Sequence, residues 1–215
     1  MAVVFNTTTN NTNIITTPYT GAATQVMTVM CWFYVGIATP TNYRDIVTVD
    51  PNIYMQLWSD GATIDFGTAN NDHTGSVLAI NTWYHVAQVV VPTSTTARKI
   101  YGYVNGELNV NVADTDTSVT FTNICIGSSV FSTYTLPLNG KIRDVRVWTR
   151  QLSGVEIKDE MNSSIVVHQP GLLLWSPLDD NSHGDKSGNN NVLTVGSAVT
   201  LQAGPLKTYP KRKTL

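Results

Sequence analysis

The chain has 215 residues, of which 42% are hydrophobic and 13% charged, with a formal net charge of -2. That length and apolar fraction fit one globular domain with a full core, while the near-neutral charge excludes a general electrostatic attraction to nucleic acid or to a membrane surface. No apolar run approaches the roughly 20 residues that span a bilayer, and the abundant Thr, Asn and Ser suit exposed strands and turns.

The start, MAVVFNTTTN, has neither a basic nor an extended apolar region, so no export signal is expected. Ala2 to Phe5 reads as a first strand. The Thr/Asn-rich segment that follows, to residue 20, is too polar for a core and reads as a loop or edge. MTVMCWFYV, residues 27 to 35, sets Met27, Val29, Cys31 and Phe33 on one face and Met30, Trp32 and Tyr34 on the other. Large apolar groups on both faces predict a central strand covered on both sides. DIVTVD and NIYMQLW then pair through Asp50-Pro51-Asn52, and Ser59-Asp60-Gly61 turns the chain into ATIDFGT.

Residues 70 to 76 read as a polar loop. NTWYHVAQVVV is a strong strand that stops at Pro92, with Trp83 and His85 sharing a face. Asn105-Gly106, between YGYV and ELNV, marks a tight hairpin, because both central residues of a type I′ turn need positive φ. SVTFTNICIGSS supplies further strands, and Ser128 to Pro137 a loop carrying Phe131 and Tyr134. Cys31 and Cys125 lie in apolar β-rich runs and are expected as buried free thiols, with a disulfide between them as the alternative.

Gly140 to Glu160 organises the chain. Ile142, Val145, Val147 and Trp148 form a strand whose apolar phase slips by one residue, which a bulge near Asp144 absorbs. Ser153 with Glu156 three positions on predicts a capped short helix directly after it. Gly171 to Trp175 is a last strand, followed by SPLDDNSHGDKSGNNN and a weak strand near Val192 to Leu201. Residues 1–201 are thus expected to form one domain, with 171–201 as an edge segment. Residues 202–215, with Lys207, Lys211, Arg212 and Lys213, read as a basic arm ordered by a partner.

The order Leu138, Gly140, Ile142, DVRVW, R-x-L-S and helix resembles the closing elements of laminin-G-like, concanavalin A-like lectin and glucanase sandwiches. MTVMCWFYV, NTWYHVAQVV with YGYVNGEL, and NICIGSS are similar to the same family in the same order. The resemblance implies an all-β antiparallel jelly-roll sandwich with one short helix after the strand ending at Trp148. It implies no single function, since one sandwich carries many sites.

Glycoside hydrolysis needs two carboxyl groups about 5 to 9.5 Å apart, and the family's E-x-D-x-x-E strand is absent. Asp114 and Asp116 read as turn residues, and Glu156, Asp159 and Glu160 as the cap and solvated face of the helix. No nucleophile elbow, phosphate loop or zinc spacing occurs, so no enzyme is expected. Calcium is the one metal with a candidate site. DDNSHG offers Asp179 and Asn181 but lacks a closing carboxylate, and the resemblance points to Asp50 and Asn52. For sugar binding, aromatic faces near loops single out Tyr43, Trp58, Phe131 and Tyr134.

The expected function is a non-catalytic recognition protein displayed on a particle surface, such as a virion decoration or attachment component. The alternative is a free, extracellular lectin-like glycan binder or adhesion domain. A protein or particle surface, glycans and further copies of the chain are the partners in view, with neither nucleic acid nor membrane insertion.

Overall fold

The computed structural model describes residues 2–5, 14–22, 25–36, 42–50, 53–68, 71–115, 121–130, 136–179 and 183–202. In chain order the strands are β1 (Ala2–Phe5), β2 (Ile15–Gly21), β3 (Met27–Val35), β4 (Arg44–Asp50), β5 (Ile53–Leu57), β6 (Thr63–Thr68), β7 (Thr74–Val77), β8 (Thr82–Pro92), β9 (Arg98–Val104), β10 (Glu107–Asp114), β11 (Phe121–Ile126), β12 (Leu136–Pro137) and β13 (Gly140–Trp148). Helix α1 (Gly154–Met161) follows, then β14 (Leu172–Ser176), β15 (Thr194–Val195) and β16 (Thr200–Gln202). Among the described residues, no helix is long and apolar enough to cross a membrane.

Two eight-stranded sheets pack face to face. The first runs β10-β9-β8-β3-β13-β1-β16, with β14 also on β13, and the second runs β15-β2-β11-β4-β5-β6-β7, with β12 on β4. Pairing is antiparallel except for β12 against β4. Period-2 alternation explains the core: Val3, Phe5, Val29, Phe33, Val86, Ile100, Ile142 and Val147 of the first sheet meet Val47, Val49, Met55, Phe66, Ile124 and Ile126 of the second. Gly102 lies where any side chain would strike the Phe66 ring, so glycine there lets the sheets close. The predicted hairpin is present, with Asn105 at φ 50° and Gly106 at φ 79°.

The bulge falls where the phase slip placed it. Arg143 pairs with Trp32 and Arg146 with Met30, and Asp144 between them adopts φ 55°. On the other edge of β13, β1 takes Gly140 to Ile142 and β14 takes Val145 to Trp148. The extra residue leaves both arginines on the outward face of the first sheet.

Beyond the bulge, α1 covers that face. Ser153 and Glu156 form a reciprocal capping box, and Ile157, Leu152 and Val166 pack on Met30, Ala87, Val89 and Trp148. Glu160 does not belong to a solvated face, as its type suggested. It is 1% exposed, and its carboxylate accepts from Arg146 and from the backbone N–H of Val167 and His168. Arg146 also grips Asp144 through two bonds of 2.9 Å and donates to Ser163 O at 2.7 Å. The Trp175 indole N–H completes the cluster on Asp144.

Three further readings are corrected. Residues 15–21 form β2, paired with β11 and β15, because Ile15 and Thr17 turn inward and the polar residues alternate outward. Residues 74–77 of the expected polar loop form edge strand β7 on β6. Asp114 ends β10 rather than lying in a turn, and it is 4% exposed. Covered-on-both-sides holds for β3 at Met30, whereas Trp32 and Tyr34 remain half-buried.

The D-x-S-G-N-N-N piece is a knot of hydrogen bonds around Asp185. Its carboxylate accepts from the N–H groups of Trp175, Ser187 and Asn191, and the amides of Asn189 and Asn191 donate to Leu173 O at 2.9 and 2.8 Å. This fastens the segment to β14. Cys31 and Cys125 are free and buried.

Candidate functional site

The turn between β5 and β6 is built by Asp60, whose Oδ1 accepts from the N–H groups of Ala62 and Thr63 at 2.9 and 2.8 Å. Trp58 closes the turn by donating its N–H to Thr63 O. This fixes the indole at the rim of the second sheet, where it meets Tyr43 edge to face, with centroids 4.9 Å apart and planes at 87°. Both rings are half-buried. The sequence singled out these two aromatics separately, and the fold brings them together. Phe131 and Tyr134, named with them, lie outside the described residues.

Beside this pair stands Asp72. Tyr54 donates its hydroxyl to Asp72 Oδ1 at 3.1 Å, and the charge of the same carboxylate acts on the Tyr43 hydroxyl. Gly67 makes this geometry feasible, because the Tyr54 ring lies where a Cβ would sit. Burial first, then the charges of Asp72 and Asp65, raises the Tyr43 hydroxyl above its ordinary pKa, so it stays protonated and donating. The exposed Asp72 is left anchored by the Tyr54 phenol and open to solvent.

Behind it, Asp65 is fully buried and accepts from His73 N–H at 2.6 Å and the Gln56 amide at 2.9 Å. Burial, opposed in part by Gln56 and reinforced by Asp72, pushes its pKa up to about 7. Asp114 accepts from Thr68 at 2.5 Å and Asn71 at 2.6 Å, with His73 Nε2 3.7 Å away. Sequence reasoning missed Asp65. Its signal was a carboxylate inside the apolar alternation of ATIDFGT.

The arrangement suits holding a polar ring. Asp65 is fully buried, with its oxygens taken by the Gln56 amide and His73 N–H, so it does not stand with Asp72 as the pair of accessible carboxyl groups that glycoside hydrolysis uses. Asp114 is occupied by its own donors. Asp116 lies outside the described residues.

The metal candidates do not converge. Asp50 is 4% exposed, and its carboxylate accepts from Cys125 Sγ, Ser129 Oγ and Val130 N–H at 3.1 to 3.2 Å. Asp179 is exposed, and Asn52 and Asn181 lie outside the described residues. Among the described residues, no group of three or more His, Cys, Asp and Glu could hold an ion.

A family profile described as the concanavalin A-like lectin/glucanases superfamily matches residues 8–158. Among solved structures, a protein of Bacteroides ovatus ATCC 8483 described as carbohydrate binding superposes with TM-score 0.65 at 19% identity, over 92% of this chain and 60% of its own. A heptameric SAP-like pentraxin from Limulus polyphemus gives TM-score 0.56 at 18% identity, over 73% of this chain and 79% of its own. The receptor binding domain of the botulinum neurotoxin C/D mosaic serotype gives 0.52 at 16%, over 75% and 45%. At such identities these likenesses establish the fold. The chain spans 60% of the length of the Bacteroides protein. No curated protein matches the sequence.

Proposed function

The chain belongs to the concanavalin A-like lectin/glucanases superfamily, and on that premise we propose that it is a non-catalytic carbohydrate-binding domain with its sugar contact at the rim pair Tyr43 and Trp58. The observation that carries this reading is the conjunction of an aromatic corner with Asp72, a solvent-facing carboxylate held by the Tyr54 phenol. An apolar sugar face stacks on an indole, and a fixed carboxylate accepts from its hydroxyls. The description of the Bacteroides protein as carbohydrate binding agrees with it. On a glycan array the wild-type chain should retain neutral oligosaccharides. Trp58→Ala should weaken the best of them at least tenfold, about 1.4 kcal/mol, with an unchanged melt and no reducing sugar released. Equal retention by Trp58→Ala would dismiss this site.

Display on a particle surface through the basic residues Lys207, Lys211, Arg212 and Lys213 extends the same proposal. Its support is their charge and the position of β16 at a sheet edge. Deleting residues 207–215 should leave the melt nearly unchanged while reducing co-sedimentation with the particle, and undiminished co-sedimentation would refute the arm's role.

A further inference from the structure

On the side of the Asp144 bulge that α1 leaves open, strand register lays two rows across three strands. Arg143, Trp32 and His85 form one, and Lys141, Tyr34 and Trp83 form the next. The Arg143 guanidinium carbon stands 5.5 Å from the Trp32 ring and 4.9 Å from the Trp83 ring, while the Lys141 ammonium sits 5.3 Å over Tyr34. Tyr34 and Trp83 are themselves 5.7 Å apart. Each row therefore presents a cation from β13 and aromatic groups from β3 and β8, a composition that needs no alignment with the helix-covered half.

Three observations point to a ligand. The rings of Trp32, Tyr34 and Trp83 are only half-buried. Arg146 holds both Asp144 and Glu160 and Asp144 also acts on Arg143, which balances these four charges, so the positive charge the platform adds is that of Lys141, over the Tyr34 ring. Next to Lys141 opens a cavity of about 270 Å³, walled by Tyr34, Gly36, Asn81, Asn139 and Gly140. That is slightly below the roughly 300 to 1,000 Å³ of pockets for drug-sized ligands and suits a single ring. Asn81 accepts from the Tyr34 hydroxyl through Oδ1 at 3.1 Å, which leaves its amide N–H₂ as a donor at the wall.

We infer that this platform is a second binding site, for a saccharide that carries a carboxylate. Its ring stacks on Trp83 and Tyr34, its hydroxyls meet Asn81, and its acid group meets Lys141, with the Arg143 charge held close by two indoles. Single-stranded nucleic acid fits less well, because it is held by a basic groove that tracks several phosphates. The site stands apart from the rim pair, on the other sheet.

Trigalacturonate, with maltotriose and sodium acetate as controls, tests the inference on the full chain by tryptophan fluorescence and calorimetry. Trigalacturonate should bind with a fluorescence change, weaken with added salt, lose at least tenfold in affinity in Lys141→Gln, and be lost in Trp83→Ala. Trp58→Ala should bind it as wild type does. Lys141→Gln replaces a partly exposed side chain, so the test survives any misfolding of Trp83→Ala. Absence of binding, equal binding by Lys141→Gln, an identical response to acetate, or loss in Trp58→Ala would each overturn it. Failure of the rim pair to hold neutral glycans would leave this result untouched.

Discussion

Glu160→Ala should lower the stability of the domain by about 3 to 5 kcal/mol, the usual consequence of removing one partner from a buried ion pair. For a chain of this size that amounts to roughly 6 to 20 °C in melting temperature, at about 2 to 4 °C per kcal/mol. The reason is that the Arg146 guanidinium, 1% exposed, would keep its charge while losing half of its carboxylate partners. Two backbone donors, Val167 and His168 N–H, would lose their acceptor as well. Differential scanning calorimetry checks this, and a shift of less than 2 °C would show that the cluster is dispensable. Because α1 lies on the sheet opposite the rim pair, neutral glycan binding should persist in whatever fraction stays folded.

The second large effect concerns pH. Asp65 has a folded pKa of about 7 against roughly 3.9 in the unfolded chain. An acid raised in this way binds its proton more tightly when folded, so its contribution is greatest below pH 4 and falls away as pH rises through 4 to 7. At about 1.4 kcal/mol per unit, the swing is a few kcal/mol. Asp65→Asn removes the titration while keeping shape. The variant should therefore gain on wild type as pH rises from 4 to 8, the gap levelling off above pH 7. Urea midpoints at several pH values measure it, and parallel curves would mean that Asp65 does not hold a proton in the fold.

Much of the architecture was legible because strands with apolar alternation, an Asn-Gly turn and a capping box are local signals. Even the bulge at Asp144 was readable, since Ile142 and Val145 cannot share a face without one extra residue. What was hidden depended on distant partners. ITTPYTG and TGSV carry too few apolar residues to announce β2 and β7, which are strands because β11 and β6 offer them edges. Glu160 reads as solvated until Arg146 is found beneath it. For the rim, proximity to turns was enough to select Tyr43 and Trp58, but not to reveal Asp72 as their common neighbour. The platform was missed for a simpler reason. Alternation says that Trp32 and Tyr34 share a face, not whether a helix lies on it.

One pairing also sets when this protein can fold. Val3 pairs with Ile142 on one side and Leu201 on the other, so the strand Ala2–Phe5 is completed only by residues made nearly two hundred positions later. At about 5 to 20 residues per second, the apolar Ala2 to Phe5 segment waits roughly 10 to 40 s for its second partner to be made. During synthesis the hairpin of β9 and β10 with β8 can assemble from near neighbours, but the first sheet cannot close. Closure therefore waits for Thr200 to Gln202, and in the interval the nascent chain presents an incompletely paired apolar strand to chaperones or to other nascent chains.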